Sequence, residues 1–187
     1  ADVVAQLDVQ HALLSARIDR LRHMVAAVER MKEAHMGENR LTARQQAEIL
    51  GDDWDPAWET EAQQNWGDTP EWEQSEQVKN RMTAEDWKRV KEGADRLEAD
   101  LAAAMTAGVR PGTKEANALA ERHRDSIGQW FAISHQKHVC IARMYVQDPR
   151  FQEHYDKRAG GLAAWITAVV DENARAHGVD PDTATWE

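Results

Sequence analysis

Three side chains with metal-binding or nucleophilic chemistry lie close together in one stretch of this sequence, residues 120–151. His135 and His138 are three residues apart and share a helix face, so their imidazoles could bind one metal ion. His138 and Cys140 are two residues apart and point about 200° away from each other on an α-helix, which argues against a shared metal. Because the spacing suggests no third ligand, we predict no metal site and expect hydrogen-bonded or solvated histidines.

Cys140 is the only cysteine of the chain, and it lies one step off the apolar face of its predicted helix. A catalytic thiol needs a base and a group that orients the base, and neither flanks Cys140 in a recognisable pattern. The sequence also has no Gly-rich phosphate loop and no pair of carboxylates at a spacing typical of a catalytic site. From the residues alone, we expect Cys140 to pack as a small apolar side chain and not to act as a nucleophile. We therefore predict that the chain is not an enzyme, with a thiol-dependent enzyme as the weaker alternative.

A second group of interest is a tryptophan-rich, acidic segment between residues 52 and 82, where Val78 is the only aliphatic side chain larger than alanine. Trp58 and Trp66 lie eight residues apart and share one helix face. The indoles could anchor small helices to a core. Alternatively, they line a lid that becomes ordered when a ligand supplies the missing apolar contacts. The four tryptophans of the segment are Trp54, Trp58, Trp66 and Trp72.

Four longer helices are predicted after this segment, because apolar residues recur at spacings of three and four behind good N-cap residues. The residues expected to face inward are Trp87, Val90, Ala94, Leu97, Leu101 and Met105, then Ala116, Leu119, Ala120, His123, Ile127, Trp130 and Phe131, then Ile141, Met144 and Tyr145, and finally Leu162, Trp165, Ile166, Val169 and Val170. We expect His123 to be a hydrogen-bonded structural histidine. Residues 179–187 are expected to be poorly ordered, and we assign Trp186 no structural or binding role.

Composition narrows the functional classes. The chain has 187 residues, which is enough to bury a core. Its formal charge of −10 argues against a nucleic-acid groove on this part, since phosphate contacts need clustered Lys and Arg. One cysteine cannot form an internal disulfide, and no apolar run is long enough to span a membrane. With no export signal visible, a cytoplasmic location is expected.

The N-terminal residues 4–35 contain neither Gly nor Pro and carry a heptad pattern of apolar side chains. The a positions are Val4, His11, Ile18, Val25 and Lys32, and the d positions are Leu7, Leu14, Leu21, Val28 and His35. This pattern predicts a coiled-coil homodimer. A parallel pair would place Arg17 against Arg22 of the other copy, so an antiparallel pair is favoured. The alternative is one long helix packed against its own domain.

Several short motifs together resemble the TipAS-type antibiotic-recognition domain found at the C-terminus of MerR-family transcription regulators. In the second half they are ERH at 121–123, WF at 130–131, S-x-x-x-H at 134–138, MYV-x-DPRF at 144–151, Tyr155 and GGLAAWI at 160–166. Upstream they are LT at 41–42, ILGDD at 49–53, WGDTPEW at 66–72 and TAEDW at 83–87. The resemblance covers nearly the whole chain, and the motifs are specific only as a set.

The periodicities predict an all-α protein, and the resemblance makes it a globin-like helical domain, without haem or another cofactor, preceded by a long coiled-coil helix. Three parts are expected. Residues 1–36 form the dimerisation helix, residues 37–82 form mobile lid helices rich in Trp, and residues 83–187 form the ligand-binding core. In MerR-family regulators a DNA-binding segment precedes the dimerisation helix. A chain that starts at Ala1 is therefore expected to be a fragment that contacts DNA only through a missing N-terminal domain.

The function that the resemblance implies is recognition of bulky, largely apolar antibiotics, such as thiopeptides, by the effector domain of a regulator. A stand-alone protein that sequesters antibiotic and confers resistance is the alternative. The family's thiopeptide binders carry a cysteine two residues after a histidine, and it adds to a dehydroamino acid of the drug; His138 and Cys140 keep that order. The expected ligand-binding residues are Trp58, Trp66, Trp72, Trp87, Trp130, Phe131, His138, Cys140, Met144 and Tyr145.

Overall fold

The computed structural model describes residues 7, 10–22, 24–25, 41, 49 and 57–186. The chain divides into two compact units, Ala1–Arg40 and Leu41–Glu187. Trp54 and much of the predicted heptad, including Val4, Val28 and Lys32, lie outside the described residues. Each unit is described here by itself.

In the N-terminal unit, residues 10–22 are helical. The five apolar heptad residues that can be described, at both a and d positions, have exposed side chains. They are Leu7, Leu14, Ile18, Leu21 and Val25, with 49–61% of their surface accessible to solvent. A row of exposed apolar side chains at heptad spacing is the pattern that a partner helix would cover, so the coiled-coil dimer stays a prediction.

In the second unit, every regular element among residues 57–186 is helical, which confirms the all-α prediction for that part. The helices are α1 (Ala57–Trp66), α2 (Pro70–Lys79), α3 (Ala84–Thr106), α4 (Lys114–Gly128), α5 (His135–Gln147), α6 (Pro149–Asp156) and α7 (Leu162–Ala176), followed by a 3-10 turn, Pro181–Thr183. Among the described residues, no helix is both long and apolar enough to cross a membrane.

Side-chain caps begin most of these helices where the sequence predicts them. Thr83 opens α3 with a capping box, because its hydroxyl accepts from the amide of Asp86 while the Asp86 carboxylate accepts from the amide of Thr83. Thr113 and Ser134 cap α4 and α5 through their hydroxyls. Asp148 caps α6, which then starts with a proline. Each cap satisfies amide groups that have no partner within the helix, so the helix starts are determined locally.

Helix α7 is the centre of the core. Its buried residues recur at spacings of three and four, so they form one continuous face that packs against α4 and α5. They are Leu162, Ala163, Ile166, Val169, Val170, Asn173 and Ala174. The chain enters α7 through Gly161, whose φ of 86° is a left-handed conformation that side chains with a Cβ disfavour.

Helices α1 and α2 are held to the rest of the unit by polar contacts. Neither helix contains a buried residue. Glu61 of α1 pairs with Arg150 at 2.8 Å, and Glu71 of α2 pairs with Lys137 at 2.5 Å. The amide of Ala132 also donates to the side chain of Gln74 at 2.9 Å. The Glu61–Arg150 pair is exposed and contributes little stability. The Glu71–Lys137 pair is mostly covered, but neither helix buries an apolar face, so both are held less firmly than α7.

The C-terminal tail differs from the expectation of a loose segment. Pro181 and Ala184 are buried, and the guanidinium of Arg143 donates to the carbonyl oxygens of both residues. The Trp186 ring lies 6.2 Å from the Phe131 ring, measured between centroids. The expectation was wrong because a short segment with few aliphatic residues can still pack when its carbonyl groups find buried donors.

The exposed heptad side chains lead to a prediction about dimerisation. The full chain should sediment as a dimer at micromolar concentration, and a chain starting at Leu41 as a monomer. Leu14→Glu should break the dimer because it places a charge at a d position of the seam, whereas Leu13→Glu, one position earlier and off the seam, should leave it intact. Monomeric behaviour of both the full and the shortened chain would show that the seam is not used between copies.

Candidate functional site

A concave surface of the second unit is formed by a cleft between α3 and α4, with a volume of ≈ 810 Å³. Its walls carry apolar side chains such as Val90, Leu97 and Ile127. Charged side chains, among them Lys91 and Arg122, lie at its edges. Binding sites for small molecules are commonly concave and apolar with a few oriented polar groups, and this cleft has that form.

Two tryptophans from different elements meet at the cleft. Trp87 is in the first turns of α3, and Trp130 follows the end of α4. Their ring centroids are 5.4 Å apart and the ring planes are inclined by 35°. Both indoles are half-buried, so they retain an accessible flat surface that could pack against a ring of a ligand. Trp130 and Phe131 were expected within a helix, but α4 ends at Gly128 and they lie in the connection to α5.

The floor of the cleft is a buried hydrogen-bonded cluster of His123, His138, Tyr145 and Tyr155. Nδ1 of His123 lies 2.7 Å from Nε2 of His138. The Tyr145 hydroxyl lies 3.4 Å from Nε2 of His123, and the Tyr145 and Tyr155 ring centroids are 4.8 Å apart. Of these residues, His123, Tyr145 and Tyr155 line the cleft, and His138 lies behind His123. The predicted hydrogen-bonded role of His123 is confirmed.

Burial keeps this floor uncharged at neutral pH. It lowers the pKa of His123 to about 4, against an opposing effect of the Glu98 charge. Burial, followed by the charge of His123, lowers the pKa of His138 to about 2. Burial also raises the pKa of Tyr145 to about 12. A neutral, hydrogen-bonded floor can contact apolar and polar parts of a ligand without the cost of desolvating a charge.

A buried carboxylate stands at one side of the floor and is already paired. Glu98 interacts with Arg158 at 2.5 Å and with His154 at 3.1 Å. Burial acts to raise the pKa of Glu98, but the hydrogen bond from His154 and the charge of Arg158 outweigh it and lower the pKa. Because one oxygen contacts His154 and the other forms an ion pair with Arg158, Glu98 supports the cleft wall, although the oxygen facing Arg158 makes no hydrogen bond within the described part of the chain.

Cys140 faces a different surface from the cleft. Its thiol lies 3.7 Å from the carbonyl oxygen of Ala184, beneath the C-terminal tail. On α5, Cys140 and Tyr145 are five residues apart and point about 140° away from each other. Phe131 lies on the tail side, with Trp186, while the adjacent Trp130 faces the cleft. Met144 packs against the buried core.

The described tryptophans of α1 and α2 do not line the cleft. Trp58 and Trp66 have 39% and 41% of their surface exposed. Trp72 is half-buried, with the Lys79 ammonium 5.0 Å from the centre of its ring. It lines a shallow recess of ≈ 470 Å³ at the α1–α2 turn, within residues 67–76. The structure therefore separates the predicted residues into three groups, at the cleft, beneath the tail and on α1–α2.

Two residues of the cleft, Tyr155 and Glu98, were not predicted from the sequence. Tyr155 was noted only as part of a motif, and Glu98 was not selected at all. Both come from helix faces whose apolar neighbours suggest ordinary packing, so residue type and spacing carry little signal of a cleft. The hypothesised metal pairing of His135 with His138 is also not formed. His138 contacts His123, whereas His135 contacts Glu121 and stacks on His177.

An all-helical domain with an apolar cleft, a neutral polar floor and loosely attached aromatic helices belongs to the class of ligand-recognition domains. Residues 58–173 match the TipAS antibiotic-recognition domain family. The HTH-type transcriptional activators TipA of Streptomyces coelicolor and Streptomyces lividans are 39% identical to this chain over 180 residues, which is 95% of this chain and 70% of each relative. The chain belongs to the TipAS antibiotic-recognition domain family.

A solved structure agrees with this assignment. TipAS in complex with nosiheptide, from a thiopeptide antibiotic multidrug resistance system of Streptomyces lividans, superimposes with a TM-score of 0.67 and is 34% identical in sequence. The similarity covers 74% of this chain and 97% of the TipAS chain. The family and helical fold implied by the sequence motifs are thus confirmed.

The low pKa values of the floor histidines predict acid sensitivity. In the unfolded chain a histidine gains a proton below its ordinary pKa of 6.5, whereas folded His123 stays neutral down to about 4. Stability should therefore fall as the pH decreases from 6.5 to 4, by about 3 kcal/mol for a shift of this size. Urea unfolding at several pH values would measure it. Replacing both His123 and His138 by Gln should flatten this pH dependence; an equally steep dependence in the double variant would contradict the assignment.

Proposed function

We propose that this domain binds bulky, largely apolar antibiotics of the thiopeptide class and acts as the effector-sensing part of a MerR-family transcriptional regulator in the cytoplasm. The observation that carries the proposal is the similarity to TipAS in complex with nosiheptide, which extends over 97% of that chain. The TipA relatives are named as transcriptional activators. In this proposal residues 4–35 form a homodimer, and DNA is contacted through a part of the regulator other than this domain.

The cleft between α3 and α4 is the surface we propose for reversible recognition. The indoles of Trp87 and Trp130 present flat faces suited to the rings of a ligand. The hydroxyl of Tyr145 and the His123 ring supply polar partners on an uncharged floor. Of the other residues expected to bind the ligand, Trp58, Trp66, Trp72, Phe131 and Cys140 lie on surrounding surfaces, whereas His138 and Met144 are packed behind the cleft and would act by supporting it.

We propose that α1 and α2 act as a lid over the bound ligand. The support is energetic, because neither helix buries a residue and their described contacts to the core are polar or charged. Trp58 and Trp66 have 39% and 41% of their surface exposed, and this apolar surface would gain burial if a ligand filled the space beneath them. Each indole could then bury up to about 100 Å² more, the exposed part of the roughly 250 Å² that a tryptophan can bury, and this gain would favour closure of helices that bury no residue of their own.

A covalent step at Cys140 is also proposed, on the basis of the family's histidine and cysteine order. The thiol sulfur would form a bond to the β-carbon of a dehydroamino acid, the carbon–carbon double bond would become single, and the thiol proton would end on the α-carbon. Because Ala184 covers Cys140, the tail must move first. A bound ligand would hold the alkene next to the thiol, and this proximity would accelerate the addition.

Incubation with a dehydroalanine-bearing thiopeptide tests both proposals. We expect an adduct of the summed mass for the wild type, and reversible binding without adduct for Cys140→Ala. Trp87→Ala should weaken binding by about tenfold or more, because a well-packed indole commonly contributes that much. Trp186→Ala is the matched control on the tail side and should bind nearly as tightly as the wild type.

The outcomes separate the recognition site from the covalent step. Tight binding without an adduct would remove the proposed role of Cys140 and leave the cleft intact. If Trp186→Ala loses affinity while Trp87→Ala does not, recognition takes place beneath the tail and the cleft assignment is wrong. If the folded wild type shows no thiopeptide binding, the proposed ligand class is wrong.

A further inference from the structure

A second polar cluster lies outside the cleft, where three helices come together. Glu121 is in the middle of α4, His135 is the first residue of α5, and His177 follows the last residue of α7. One ligand atom from each of these residues lies within 4.8 Å of the other two. Nε2 of His135 is 2.8 Å from Oε1 of Glu121, and the two imidazoles are stacked with their centroids 4.1 Å apart.

Neighbouring groups hold these side chains in place. Nδ1 of His177 donates to the carbonyl oxygen of Asn173 at 2.8 Å, so in the neutral ring Nε2 carries a lone pair. The amide of Asn173, a fully buried residue, donates to Oε1 of Glu121 at 2.5 Å. Arg124 donates to the other carboxylate oxygen at 2.7 Å. Hydrogen bonds of this kind from outer groups are what orient metal ligands in proteins.

The carboxylate is ionised at neutral pH. Burial acts to raise its pKa, but hydrogen bonds from Arg124, Asn173 and His135 dominate and lower the pKa of Glu121 to about 2. The cluster therefore offers one anionic oxygen and two imidazole nitrogens. Two nitrogen donors favour zinc and similar transition metals over magnesium or calcium, which prefer oxygen ligands.

We propose that Glu121, His135 and His177 form a binding site for a divalent transition-metal ion, with zinc the preferred occupant. The ligand atoms would be Oε1 of Glu121 and Nε2 of each histidine, and water would complete a tetrahedral site. None of the three residues lines the α3–α4 cleft, so this site is separate from the proposed antibiotic surface. The ion would join α4, α5 and the end of α7.

Binding requires two small changes, and they set the expected affinity. Nε2 of His135, which now contacts Glu121, must direct its lone pair at the ion, with the ring proton on Nδ1. The nearly parallel rings, inclined by 14°, must tilt to direct both lone pairs at one ion, and the exposed His177 can make this movement. The cost of tilting and the nearby Arg124 charge both oppose binding, so the affinity should be lower than that of a preformed site.

Titration of the untagged full chain with zinc chloride in a calorimeter tests the site. The wild type should bind one ion per chain, and cobalt should give the visible absorption of a tetrahedral complex. His177→Ala should weaken zinc binding at least tenfold by removing one ligand, with little effect on the fold because His177 is exposed. The control His154→Ala removes a histidine that pairs with a different carboxylate, Glu98, and should bind zinc as the wild type does.

Thermal unfolding supplies a second measurement. At a zinc concentration about a hundredfold above the dissociation constant, the wild type should unfold about 5 °C higher or more, and His177→Ala should show no comparable shift. Equal zinc affinity in the wild type and His177→Ala would place the ion elsewhere and overturn the proposal. Absence of binding to the wild type at submillimolar zinc would overturn it as well.

Discussion

The hydrogen bond between His123 and His138 is the interaction on which the recognition surface depends. It joins α4 to α5 with a nitrogen-to-nitrogen distance of 2.7 Å, inside a core where both rings are almost fully buried. A buried imidazole without a partner would cost a large part of the protein's stability, so the two helices are held at one separation. That separation places Tyr145 and Tyr155 at the base of the α3–α4 cleft. The base of the cleft is therefore fixed by a buried hydrogen bond between two histidines, and burial keeps both histidines neutral.

The rest of the second unit divides into firmly and weakly held parts. Helix α7 buries a continuous apolar face, whereas α1 and α2 bury no residue and depend on pairs such as Glu71 with Lys137. Regions with few buried apolar contacts open locally at low free-energy cost. A ligand that adds apolar surface beneath α1 and α2 would change their stability far more than that of the core. This difference is the physical basis of the proposal that α1 and α2 close over a bound ligand.

The fold was largely predictable from sequence because its signals are local. The caps at Thr83, Thr113 and Ser134 and the apolar face of α7 each require only neighbouring residues, and the motifs identified the family. The candidate sites were less predictable because they depend on distant residues. Spacing suggested His135 with His138, but their partners come from other helices, and residue periodicity cannot report such contacts. Trp130 and Phe131 are adjacent in sequence yet face opposite surfaces, because α4 ends two residues before them.

The central claim is that the α3–α4 cleft recognises the antibiotic and that α1 and α2 close over it. Amide hydrogen exchange with and without a thiopeptide tests this most directly. We expect rapid exchange of residues 57–79 in the free protein, strong protection of the same residues on binding, and added protection in the cleft walls at 86–98 and 122–130, with α7 protected in both states. Strong protection of residues 57–79 before ligand is added would show that these helices are ordinary core. Ligand-induced protection confined to the region around Cys140 and the tail would contradict the cleft as the site of recognition.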